Sequence, residues 1–142
     1  MWRVFVAVMS MVIAACVPIQ QSSQQIEEQK MQAVPGKAVV YIVQDSFRDY
    51  NAGLALDDGK EIRMWPGTFF RWVTNPGTHL IRSSDGHLNA SINLQVDAGK
   101  VYFVQHSVTG IRGSSTDARL RKLDERTGRQ LVTSGTLCCP DY

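Results

Sequence analysis

The chain has 142 residues, of which 44% are hydrophobic and 20% charged, with 15 Lys and Arg against 13 Asp and Glu. This length favours one domain with enough apolar material for a core that needs no disulfide staples. The net charge of +2 excludes the strongly basic surface on which nucleic-acid binding depends.

Residues 1–15 read as an export signal. Arg3 is a short positive start, Val4 to Ile13 is apolar apart from Ser10, and Ala14-Ala15 supply small residues for a peptidase. The run is too short to cross a bilayer core of about 30 Å, which takes roughly 20 helical residues. Cys16 follows the small pair directly, which is the pattern of a bacterial lipoprotein signal. Cleavage between Ala15 and Cys16 makes Cys16 the first residue of the mature chain and the carrier of the lipid. Each buried CH₂ contributes about 0.8 kcal/mol, so one acyl chain holds poorly and two or three hold durably. Loss of Arg3 leaves 14 basic residues against 13 acidic. Val17 follows Cys16, and the absence of an aspartate there favours the outer membrane, facing the periplasm. The cysteine count of three is odd for an exported protein. Lipidation of Cys16 accounts for it and leaves only Cys138 and Cys139.

Residues 16–36 read as the lipidated cysteine and a flexible linker. Gln20, Gln21, Gln24, Gln25, Gln29 and Gln32 dominate it, with Ser22 and Ser23, and Pro35-Gly36 closes it. Such a composition buries little. As coil, a stretch of this length averages roughly 22–27 Å end to end. Ile26 to Gln32 holds good helix formers and reads as a transient helix.

The folded domain is expected over 37–134. Ala38 to Val43 is apolar at every step, as in a strand buried on both faces. Gly53 to Leu56 and Lys60 to Met64 form a hairpin around Asp57-Asp58-Gly59. Pro66-Gly67 turns the chain into Thr68 to Thr74, rich in aromatic and β-branched residues. On this strand Phe70 and Trp72 share one face, with Phe69, Arg71 and Val73 on the other. Asn75-Pro76-Gly77 turns into Thr78 to Ser83, and Asp85-Gly86 turns again. In the next strand Ala90, Ile92, Leu94 and Val96 point to the core, and Ser91, Asn93, Gln95 and Asp97 to water. Val101 to Val104 starts the last long strand. Gly110 to Thr116 is a Gly/Ser-rich loop, Ala118 to Leu123 an edge strand with charges that discourage pairing, and Asp124 to Leu131 a short helix weakened by Gly128. Turns every 8–12 residues predict a mainly β fold: a small antiparallel β-sandwich of about seven or eight strands with a short C-terminal helix. Residues 135–142 read as a frayed tail.

Four segments carry a resemblance: Leu56-Asp57-Asp58-Gly59-Lys60-Glu61-Ile62, Gly67-Thr68-Phe69-Phe70, Asn75-Pro76-Gly77-Thr78-His79-Leu80 and Ala98-Gly99-Lys100-Val101-Tyr102-Phe103-Val104. Their order and spacing over residues 37–132 resemble the bacterial family named domain of unknown function 2846. The strand, Pro-Gly turn and strand in the middle also resemble PEGA-type surface modules. Arg63 stands where a second glycine is more usual. The resemblance implies an exported or lipid-anchored β-sandwich and transfers no catalytic residue.

Chemistry-bearing residues are sparse. His79, His87 and His106 lack the spacing that puts two metal ligands on one element, so no metal or cofactor is expected. His106 and Ser107 are neighbours on a strand and point to opposite faces, which excludes them as a nucleophile and base. Gly110-Ile111-Arg112-Gly113-Ser114-Ser115 lacks the Gly-Lys-Ser/Thr ending of a phosphate loop. Trp65 and Trp72 are candidates for a binding surface, as aromatics beyond what a small core needs. Cys138-Cys139 is a candidate redox or disulfide pair in an oxidising envelope. The expectation is a non-catalytic envelope lipoprotein, held to the membrane by its lipid and binding an envelope protein or peptidoglycan. The alternatives are an enzyme of cell-wall or surface glycans, which requires paired carboxylates, and a thiol-linked assembly factor acting through Cys138 and Cys139.

Replacement of Cys16 by alanine is expected to abolish lipid labelling and to leave the protein unprocessed or soluble in the periplasm. Fractionation with unchanged membrane association would refute the anchor.

Overall fold

The computed structural model describes residues 21–45, 51–84, 90–110 and 116–139. Cys16, Ala15, the Asp85-Gly86 turn, His87 and most of the Gly/Ser-rich loop lie outside them. Among the described residues the chain forms α1 (Ser23–Glu28), β1 (Ala38–Gln44), β2 (Ala52–Leu56), β3 (Ile62–Met64), β4 (Thr68–Thr74), β5 (Gly77–Ser83), β6 (Ser91–Val96), β7 (Val101–Gly110), β8 (Thr116–Leu123), α2 (Glu125–Ser134) and β9 (Thr136–Leu137). The fold is mainly β, two sheets packed together with a short C-terminal helix, as expected.

The first sheet has the order β8-β7-β1-β4-β9 and the second β3-β2-β5-β6. Pairing is antiparallel except where β1 runs parallel to β7 and β4 parallel to β9. The Asn75-Pro76-Gly77 turn does not close a hairpin. It carries the chain from the first sheet to the second, since β4 pairs with β1 while β5 pairs with β6 and β2.

Every residue of β1 is buried, and its two faces feed two separate cores. Ala38, Val40 and Ile42 point between the sheets, where they meet Leu54, Leu56, Met64, Phe70, Ile81, Leu94, Val96 and Val104. Val39, Tyr41 and Val43 point the other way, against Met31, Phe69, Phe103, Leu123 and Val132. The expected split of β4 holds, with Phe70 in the inter-sheet core and Phe69 in the other. The second sheet alternates instead. Leu94 and Val96 of β6 are buried while Ser91, Asn93 and Gln95 are exposed, so the outward-facing residues of this strand meet solvent.

The second core exists because helical segments cover the first sheet. Asp124 caps α2, its carboxylate accepting from the Thr127 amide at 3.0 Å and the Thr127 hydroxyl at 2.7 Å. Gly128, which lowers the intrinsic helix propensity, is where α2 meets the sheet. A Cβ there would stand 2.1 Å from Cγ of Phe103. The glycine is a packing requirement rather than a helix defect.

The sequence expectation of a flexible linker through residue 36 is corrected from Ser22 onward. Ser22 caps α1 by accepting from the Gln25 amide at 3.1 Å. The Gln29 side-chain amide donates to the carbonyls of Val132, Thr133 and Gly135, each at 3.1 Å, satisfying the end of α2. Gln25 is buried and accepts from the Leu137 amide at 3.3 Å. The Tyr41 hydroxyl donates to the Glu28 carbonyl at 2.6 Å, and Arg71 pairs with the Glu28 carboxylate at 2.8 Å. Burial raises the Tyr41 phenol above its usual pKa, with the Arg71 charge pulling the other way. The glutamines that look like spacer in the sequence are hydrogen-bonding contacts. The expected frayed tail is corrected in the same way through Cys139. Thr136 and Leu137 pair with Thr68 and Phe69, and the Cys138 amide donates to the Phe69 carbonyl at 2.8 Å.

Gly128→Ala tests whether packing or propensity decides at α2. Alanine gains about 1 kcal/mol in a solvated helix, while overpacking costs about 1–3 kcal/mol. The expected result is a lower urea midpoint for the variant. An unchanged or higher midpoint would show that Phe103 yields freely.

Candidate functional site

The two tryptophans do not form one platform. Trp65 precedes β4 and is 53% exposed. Trp72 lies toward the far end of β4, roughly 13 Å along the strand from its first residue. It packs partly into the inter-sheet core and meets the His79 ring edge-on at 5.0 Å. Trp65 remains an exposed aromatic, and Trp72 belongs to a polar cluster.

That cluster joins the two sheets at one end. Asp57, with φ of 49°, turns the chain out of β2. One of its carboxylate oxygens accepts from the Leu80 amide at 2.8 Å and the other faces Nδ1 of His79 at 2.7 Å. His79 Nε2 faces the Asn75 carbonyl at 2.8 Å. Acceptors on both ring nitrogens favour the imidazolium. Burial works to lower the His79 pKa, but the Asp57 and Asn75 hydrogen bonds outweigh it and the pKa is raised. For Asp57, burial works upward, and the His79 and Leu80 hydrogen bonds outweigh it, so its pKa is lowered. The cluster is an end-tie for the sandwich, built from an aspartate that the sequence placed in a hairpin turn and a histidine that it placed in the strand after the Asn75-Pro76-Gly77 turn.

His106 finds a serine, though not Ser107. Its Nε2 lies 2.9 Å from Oγ of Ser83, reaching from β7 across to β5. Ser83 is 3% exposed and His106 is fully buried. A nucleophile needs access to substrate, and this pair is enclosed between the sheets. It is a polar tie in the core, with Gln44 buried on β1 at the position paired with His106.

Cys138 and Cys139 are joined to each other in a disulfide. Both sulfurs face the Arg63 carbonyl, at 3.6 and 3.5 Å. Cys138 is buried in the inter-sheet core and Cys139 packs against it. Beside them is a cavity of about 170 Å³ lined by Gln24, Glu28, Phe70, Arg71 and Leu137, where the Arg71 and Glu28 charges already neutralise each other.

A further cavity, about 360 Å³, lies on the second sheet, where Ala55, Arg82, Ser83, Ser84 and Ser91 line it. The register aligns Ala55, Arg82 and Ser91 in one row across β2, β5 and β6. Exposure of Arg82 and Ser91 marks this as the outer face. Gly53, two residues before Ala55, is buried beneath the Ser84 and Glu61 side chains at the side of the trough. A Cβ on Gly53 would stand 2.0 Å from the Ser84 hydroxyl and 2.9 Å from a Glu61 carboxylate oxygen. Glu61 pairs with Arg63 at 2.8 Å. Arg82 donates to the Asp57 carbonyl at 3.2 Å, which ties this trough to the end cluster. No motif marks the trough in the sequence, because it is assembled from an arginine and small residues that lie far apart in the chain.

Among the described residues no three His, Cys, Asp or Glu side chains converge as a metal site, and no helix is long and apolar enough to cross a membrane. No protein-family model matches the chain, and no curated protein matches it in sequence.

The end-tie predicts a pH signature. The raised His79 pKa adds stability in full below about 6.5, its unfolded value, which is lost as pH rises through the folded value. The lowered Asp57 pKa adds stability above about 3.8, lost as pH falls through its folded value. His79→Gln is therefore expected to cost most near pH 5, about 1 kcal/mol for this half-exposed pair. The gap to wild type should narrow toward pH 9 in urea titrations. A gap independent of pH would mean that His79 acts by packing alone.

Proposed function

We propose that the chain is a lipid-anchored protein of the bacterial cell envelope, held in the outer membrane facing the periplasm. It binds an envelope partner, protein or peptidoglycan, through its β-sandwich and performs no catalysis of its own. The anchor rests on Ile13-Ala14-Ala15-Cys16 and the Arg3-led apolar run before it. The resemblance to the domain of unknown function 2846 points to the same class of exported β-sandwich. The binding role is carried by one observation: among the described residues the outer face of the second sheet holds the trough at Arg82, whereas β1 in the first sheet is buried on both faces.

Two findings weigh against the rival readings. Bonding of Cys138 to Cys139 leaves neither thiol for another chain, which counts against thiol-linked assembly. The Ser83 and His106 pair is closed to solvent, which removes the most catalytic-looking geometry from an enzymatic account.

Crosslinking in intact envelopes, followed by capture of the full chain, tests the binding role. A control protein anchored through the same signal and Cys16 supplies the background. Enrichment of one envelope protein or of wall fragments over that background is the expected result. Equal profiles for the two proteins would overturn it.

A further inference from the structure

From the composition of the trough on the second sheet, we infer that it is a binding pocket for an oxyanion carried on a hydroxylated small molecule or residue, with Arg82 as the anion-binding group. The inference rests on the reading of this face as the binding face and names the chemistry it accepts.

The guanidinium carries five N–H donors in a planar fork suited to carboxylate and phosphate. In this structure Arg82 gives one donor to the Asp57 carbonyl. That bond holds the side chain without neutralising it, since a carbonyl carries no net charge. None of the ion pairs among the described residues engages Arg82, whereas Glu61 is matched to Arg63 and Glu28 to Arg71. Among the described residues the Arg82 charge at the trough is therefore matched by no carboxylate. Ser84 and Ser91 add hydroxyls that both donate and accept, the pairing that ligand hydroxyls need. Ser83 lines the wall but spends its own hydroxyl on His106. Ala55, whose side chain is a single methyl, leaves room beside Arg82 in the row it shares with Ser91. At about 360 Å³ the space falls within the range of small-molecule pockets. A purely apolar ligand would desolvate Arg82 without a partner, at a cost that such a pocket cannot recover.

The test uses the full, isotope-labelled chain in lipid nanodiscs and follows the Arg82 side chain and the Ser84 and Ser91 amides by NMR. Glucuronate, inorganic phosphate and glucose are titrated separately. A response to glucuronate assigns a carboxylate source and a response to phosphate a phosphoryl source, while glucose is expected to bind at least about tenfold more weakly than the preferred anion. Arg82→Gln should weaken anion binding by about tenfold or more, and Ser91→Ala by less. Both positions are exposed, so the fold is expected to survive, and an unchanged urea midpoint verifies it. Shifts confined to other residues, no response to either anion, or equal affinity in Arg82→Gln would overturn the inference. Envelope capture repeated with Arg82→Gln separates the two levels. A partner still enriched while neither anion binds removes the oxyanion pocket and leaves the binding role standing, and loss of enrichment by the wild-type chain itself removes that role.

Discussion

A strand that is apolar on both faces needs a layer on each side, and β1 imposes that demand on the whole chain. One side of β1 is met by the second sheet. The other is met by α2, by Phe69 and Phe103, and by Met31 just beyond α1. Uncovered, Val39, Tyr41 and Val43 would expose three large side chains, each worth about 1.5–3 kcal/mol on burial. The helix layer is thus a condition of the sheet rather than an ornament on it. Gly128 lets that layer come close, and Gln29 closes its end.

This arrangement explains which parts of the fold were legible in the sequence. Continuous apolarity in Ala38 to Val43 announced double burial, and alternation in Ser91 to Val96 announced a sheet with one wet face. Both are properties of single strands. The β1–β7 and β4–β9 parallel pairs join residues far apart in the chain, and no local pattern encodes that choice. A transient helix over Ile26 to Gln32 was read, but the docking of α1 on the domain was missed for a different reason. The segment adheres mainly through Gln25, Gln29 and Glu28, and hydrogen-bonding residues look the same in a spacer as in a contact. Met31 and Val34, which pack into the second core, were the apolar hints.

The candidate site was legible in pieces and not as a site. Asp57 was read as a turn residue and His79 as lying in the strand after a turn, and both are so placed, but their contact depends on β5 pairing beside β2. His106 was rightly separated from Ser107 by strand geometry, while its true neighbour came from the opposite sheet. The trough at Arg82 is assembled by register across β2, β5 and β6, from residues that would each pass as ordinary surface.

The docking of α1 also changes what a lipid on Cys16 would mean for the domain's freedom. A tether running to residue 36 could extend to about 70 Å, whereas one ending at Ser22 has six residue steps and cannot exceed about 20 Å. With a lipid on Cys16, such a leash would confine the sandwich to a thin shell of space above the bilayer. Within that shell a partner in the same membrane meets the domain at high effective concentration, so weak contacts suffice. A partner standing farther off must itself reach down to the membrane.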